Sequence, residues 1–151
     1  MIVNPLYLAN TIILKSFDER VELTPMKLQK ILYFIYREYL QKTGYQIFSE
    51  RFMTWDYGPV LSTVYYQFKE YCSNNIGDFY VENGKTLAVR EDSENALNEA
   101  ISYVWNCCRD KNGIELSRLT HKEGSAWYKA YQKDAPFLLD EDIMQDEIPI
   151  D

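Results

Sequence analysis

The sequence is short of the features that mark secreted, membrane-embedded or metal-dependent proteins. Cysteine is scarce, with Cys72, Cys107 and Cys108 alone. The adjacent pair cannot readily bridge to itself, and no Cys or His stands at zinc-binding spacing. No run of about eighteen apolar residues occurs, so no membrane-crossing helix is expected. No signal-peptide pattern opens the chain. These absences predict a soluble protein of the reducing cytoplasm with no membrane partner. Neither G-x-G-x-x-G nor G-x-x-x-x-G-K-S/T is present, which leaves nucleotide binding without support. No metal, cofactor or catalytic constellation is expected. Histidine occurs once, as His121.

An excess of basic residues is also missing. The formal charge is −7, and residues 140–151 alone hold six carboxylates and no Lys or Arg. Without that stretch, 17 acids face 16 basic residues, so the body is nearly neutral. Nucleic-acid binding is therefore disfavoured, because phosphate contacts need clustered Lys and Arg. The organisation expected is a single domain over residues 1–139 followed by an acidic C-terminal tail over 140–151. Ile143, Ile148 and Ile150 lie amid the carboxylates, and the tail is expected either to dock weakly or to remain disordered. What the chain has in plenty is tyrosine, 13 in 151 residues. Tyr combines apolar area with a polar tip, which suits core edges and interfaces.

The spacing of apolar residues predicts a mainly α fold, of α+β character, with about five to six helices and a small β-hairpin. Asn4-Pro5 and Thr24-Pro25 each read as a cap followed by proline in the first turn. The second helix places Leu28, Ile31, Leu32, Ile35, Tyr36, Tyr39 and Leu40 on one half of the wheel. Lys27, Lys30 and Arg37 fall on the other half, where a solvated face is the ordinary reading. Gln29 interrupts the apolar arc and needs hydrogen-bond partners if buried. Phe34 interrupts the polar arc, so either another element covers it or it is an exposed aromatic among basic residues, as at an interface. Loose alternation over Tyr45 to Tyr57 predicts a short strand, after which Pro59 opens a third helix with Tyr66 on its polar side. Asn83-Gly84 between short apolar runs predicts a tight hairpin turn. Asp92 or Ser93 is the expected cap of a fourth helix that Asn112-Gly113 ends. A short helix ending near His121 follows, then a last one capped by Ser125 and carrying Trp127. Pro136 is expected to end the ordered helical part.

Three blocks stand out from this background. They are Leu23 to Phe34 (LTPMKLQKILYF), Trp55-Asp56-Tyr57-Gly58-Pro59-Val60, and Leu119-Thr120-His121 with Trp127 six residues beyond His121. Their order and content resemble the Panacea domain, the SocA-like antitoxin family, related to phage-associated GepA-like proteins. The resemblance covers roughly residues 5 to 131. It implies a small, mostly helical, non-enzymatic cytoplasmic protein, often encoded on a prophage or mobile element beside a toxin gene. Such a protein neutralises its cognate toxin by direct protein–protein contact. A protease adaptor, delivering a partner for degradation, is the alternative within the same class. By the same resemblance Lys27, Leu28, Lys30 and Tyr33 form the helix block. Trp55, Tyr57, Gly58, Pro59 and Val60 form the tryptophan block, and Thr120, His121 and Trp127 form the histidine block. Ala126 departs from the pattern, since many relatives have Pro before the Trp.

The candidate partner-binding or family-motif residues are thus Lys27, Lys30, Tyr33, Phe34, Arg37, Trp55, Asp56, Tyr57, Gly58, Pro59, Tyr66, His121 and Trp127. His121 invites a hydrolase-like reading as a general base. No nucleophile shares its motif, so a helix-end histidine hydrogen-bonded to backbone or to an acid is the favoured role. Asp56 is expected to accept backbone N–H groups near a helix start. Gly58-Pro59 is expected to allow a tight change of chain direction.

Overall fold

The computed structural model describes residues 2–90 and 95–151. The expected cap of the fourth helix, Asp92 or Ser93, lies outside them. The described chain is mainly α. It forms α1 (Pro5–Glu19), α2 (Pro25–Thr43), a two-stranded antiparallel sheet of β1 (Met53–Trp55) and β2 (Gly58–Val60), α3 (Ser62–Phe68), α4 (Asn95–Cys108), α5 (Gly113–Thr120), α6 (Ala126–Gln132) and α7 (Asp140–Met144). A single 3-10 turn, Lys69–Tyr71, extends α3.

Cap chemistry sets the ends of the first two helices. Asn4 Oδ1 accepts from Leu6 N at 2.9 Å, and Thr24 Oγ1 accepts from Lys27 N at 3.3 Å. Each cap precedes a proline, whose missing N–H costs nothing in a first turn. Gly44 closes α2 in the left-handed region, where a residue without Cβ is unstrained.

Helix α2 is the hub, touching α1, α3, α4, α5, α7 and β2. Its apolar arc joins Leu8 and Ile12 of α1 and Val104 and Trp105 of α4 in one core. Tyr33, Tyr36, Phe48 and Phe52 pack ring against ring at centroid distances from 5.0 to 5.5 Å. Burying one such large side chain contributes roughly 1.5–3 kcal/mol.

Three expectations are corrected here. Pro59 does not open a helix: it lies in β2 opposite Thr54, and α3 begins at Ser62. Proline is tolerated because β2 is an edge strand, whose outer side has no ladder partner to lose. The sheet also lies in the tryptophan block, whereas the expected hairpin at Asn83-Gly84 is a tight turn closed by an isolated Glu82–Lys85 bridge. Both of its central residues have the positive φ that such a turn demands, 52° and 75°.

Order does not end at Pro136 either. Residues 136–138 run along β1, with Thr54 N donating to Pro136 O at 3.0 Å and Leu138 N donating to Phe52 O at 2.8 Å. The acidic segment beyond them is docked, with Ile143 and Ile150 buried. Asp146 accepts from Tyr33 Oη at 2.6 Å, Ala126 N at 3.1 Å and Arg37 Nη1 at 3.3 Å.

Candidate functional site: a hairpin held by its own carbonyls

The α2 residues expected on a solvated or partner-facing surface are inside. Phe34 and Lys30 are each 1% exposed, and Lys27, Tyr33 and Arg37 are buried with them. The physical reason is that the hub helix is covered on its polar side as well, and each cation there finds oxygen. Lys27 Nζ donates to Arg109 O beyond α4, and Lys30 Nζ donates to Pro59 O at 3.1 Å. Arg37 donates to Ile148 O at 2.8 Å and to Asp146, and its guanidinium lies over the Phe34 ring at 4.9 Å. Phe34 is therefore a covered aromatic, not an exposed anchor. Burial pushes the Lys30 amine down to about 7 and lowers Lys27 as well, because the charged form loses its hydration.

Of these buried groups Lys30, with the neighbouring Gln29, converges with the histidine block on one object, the β1–β2 hairpin. Trp127 Nε1 donates to Trp55 O at 2.8 Å. His121 Nε2 lies 2.6 Å from Asp56 O, and Ser117 Oγ donates to Tyr57 O at 2.7 Å. Lys30 takes Pro59 O, and the Gln29 amide takes both Leu61 O (3.1 Å) and Leu61 N (2.9 Å). Five main-chain carbonyls between Trp55 and Leu61 are thus gripped by side chains from α2, α5 and α6. The partners that Gln29 required are supplied in full.

Gly58 is where the grip is tightest. Its φ is 112°, and a Cβ there would fall 2.6 Å from Thr120 Oγ1 and 2.8 Å from Lys30 Cε. One atom of each block meets at that point, so glycine serves a close approach as well as a turn.

His121 caps the C-terminus of α5, as its favoured reading held. Its Nδ1 lies 2.6 Å from Ser117 O, and its ring packs 3.9 Å from Trp127, which stacks in turn on Tyr131 at 4.6 Å. A neutral imidazole carries one N–H and satisfies one of the two carbonyls, whereas a doubly protonated ring satisfies both. Both nitrogens face main-chain oxygen, which suits a positioning role. Asp56 differs from its expectation: its side chain is exposed in the turn, and its main-chain carbonyl makes the contact.

What this scaffold turns outward is aromatic. Tyr57 is 69% exposed and Tyr66 is 63% exposed. Trp55 meets Tyr65 edge-to-face at 4.8 Å, and Tyr65 meets Tyr66 at 5.2 Å. Ile114, 59% exposed, and Met26 extend the apolar surface on the far side of Tyr57. Ser117, Tyr65 and Ile114 were not legible as site residues, because short helices with ordinary residues give no pattern. Among the described residues no group of three or more His, Cys, Asp or Glu is placed to hold a metal ion. Nor is any helix there long and apolar enough to cross a membrane.

Side chains from α2, α5 and α6 thus fix one surface hairpin on a mainly α scaffold. The family model described as antitoxin SocA-like, Panacea domain, matches residues 28–128, and the chain belongs to that family. The chain is also similar to a protein named antitoxin SocA from Caulobacter vibrioides (strain NA1000 / CB15N), at 24% identity over 123 residues. That similarity covers 79% of this chain and 65% of the relative, so the chain spans less than two thirds of that protein's length. No solved structure matches the chain significantly.

Proposed function

We propose that this chain is the antitoxin of a toxin–antitoxin pair and neutralises a cognate protein toxin by direct contact. The face that makes the contact is the one carrying Trp55, Tyr57, Tyr65 and Tyr66. One observation supports it above the others: side chains of the helix and histidine blocks grip the hairpin formed by the tryptophan block, and that hairpin and the adjoining α3 display exposed aromatics. Aromatic side chains on a rigid support lose little entropy on binding, which suits them as anchors. The mechanism is occlusion of the toxin's active surface, and the compartment is the cytoplasm.

The experiment is a growth assay. The reading frame adjacent at the native locus is expressed under tight control, alone and with this chain. Arrest by the neighbour and rescue by this chain are the expected result, with copurification of the two proteins. Failure of rescue when both proteins are made removes the antitoxin reading. Occlusion further requires that the toxin's lifetime be unchanged or lengthened by this chain, whereas a protease adaptor shortens it.

A further inference from the structure

Two depressions flank Tyr57, and its side chain lines both. The first, about 330 Å³, lies between α2, the hairpin and α3, with walls from Leu28, Trp55, Val64, Tyr65 and Phe68. It is at the small end for ligand clefts and has room for a large apolar side chain. The second is shallower and runs along α5 past Ile114.

Their charge sets them apart from the rest of the molecule. The exposed basic groups are Lys69 in the first and Arg118 and Lys122 in the second. Neither lining includes an Asp or Glu, in a chain with 23 acids against 16 Lys and Arg. The cleft where α1 meets α2 is different, because it mixes Glu19, Glu22, Asp110 and Glu115 with Arg20, Lys27, Arg109 and Lys111. The acids next in sequence to lining residues are Asp56, Glu70, Glu115 and Glu123, and none of them lines either depression.

We propose that the two depressions together receive one segment of the partner protein, an apolar side chain flanked by carboxylates. The apolar group enters the Trp55–Phe68 hole, and the segment crosses Tyr57 so that its carboxylates meet Arg118 and Lys122. The proposal rests on the antitoxin reading and adds the chemistry of the surface the toxin presents. A polynucleotide fits less well. Bases stack on open aromatic faces, whereas this hole is walled, and a net charge of −7 repels a polyanion at longer range. The pinned hairpin carbonyls keep the hole formed before binding, so little ordering is needed.

The test uses the full chain and three fluorescein-labelled probes. These are a short peptide alternating Leu with Asp and Glu, its counterpart with Lys and Arg, and an oligothymidylate of similar length. Anisotropy is expected to show the acidic peptide binding best, with affinity falling as salt rises. The Arg118→Glu/Lys122→Glu pair, both exposed, is expected to weaken it roughly tenfold or more. Lys85→Glu in the distant turn is the control and is expected to change nothing. Circular dichroism checks that each variant is folded. Equal binding of both peptides, no binding of the acidic one, or preference for the oligothymidylate overturns the proposal. The same charge-reversed pair is then run in the growth assay. Rescue as strong as wild type overturns this surface while leaving the antitoxin reading intact. Failure of the wild-type chain to rescue removes that reading, and the peptide result still decides the surface.

Discussion

Lys30 shows how much a single residue is asked to do. Its amine is fully buried, lowered to about 7, and hydrogen-bonded to Pro59 O. In the unfolded chain the amine holds its proton up to its ordinary value near 10.5. Between about 7 and 10.5 the unfolded state therefore binds more protons than the folded one, and stability rises with pH. Below 7 both states are protonated, and the full cost of a buried charge is present. Tyr33 and Tyr36 act the other way, because burial and the nearby Asp146 and Asp140 raise them, so their contribution is lost above about pH 10. Urea unfolding of the wild type is expected to show stability climbing from pH 7 to pH 9.5, by at most about 1.4 kcal/mol per pH unit from this group. Lys30→Met is expected to flatten most of that climb, with Lys27 supplying the remainder; an unchanged slope would show that Lys30 does not carry it. Gly58→Ala probes the same contact point. A positive φ costs a residue with Cβ about 1–3 kcal/mol, and the new methyl must also displace Lys30 or Thr120. A midpoint shifted by less than that range would mean that the hairpin can swing clear of α5.

At the scale of elements, the C-terminal segment is part of what holds α2. Asp146 is 1% exposed and joins Tyr33, Arg37 and the first residue of α6. Asp146→Ala removes one of the two carboxylates on Arg37, Glu38 being the other, and leaves Tyr33 Oη and Ala126 N without their acceptor, a loss of roughly 1–3 kcal/mol. Ending the chain after Leu139 also removes Ile143 and Ile150 from the core and takes Asp146 from Tyr33 and Arg37. Both variants are expected to unfold at lower temperature by calorimetry. A truncated chain with an unchanged melting temperature and slower partner association would instead make the segment an electrostatic steering arm. Helix starts were legible in the sequence because cap and proline are local signals, and Asn4, Thr24 and Ser125 all cap as expected. The burial of the polar side of α2 was not legible. A helical wheel assigns Lys and Arg to water by default, and it cannot see a main-chain carbonyl arriving from another element. The isoleucines of residues 140–151 were legible as docking candidates, whereas the burial of the Asp146 carboxylate among them was not.

On the scale of the whole molecule, scaffold and surface are separable, and that separation is testable. The three sequence blocks were legible as a family signature, and the structure shows why those residue types recur together: each supplies a donor or a gap to the same hairpin. Most of them are thus structural, and the exposed residues assigned to the proposed contact are those that the hairpin and α3 carry outward. Trp127 and Tyr57 sit at opposite ends of that arrangement. Trp127 is buried, and its indole N–H donates to Trp55 O. Trp127→Phe keeps a ring but leaves that carbonyl without its donor, and is expected to cost roughly 1–3 kcal/mol. Growth rescue should survive it at a temperature where the variant is folded. Tyr57→Ala removes a side chain that is 69% exposed, and stability should stay within about 0.5 kcal/mol of wild type. Rescue should fail, because both depressions lose their shared wall. The opposite pattern, with Tyr57→Ala rescuing fully and a folded Trp127→Phe failing, would mean that the partner reads the α5–α6 side of the molecule and that the hairpin is scaffold from end to end.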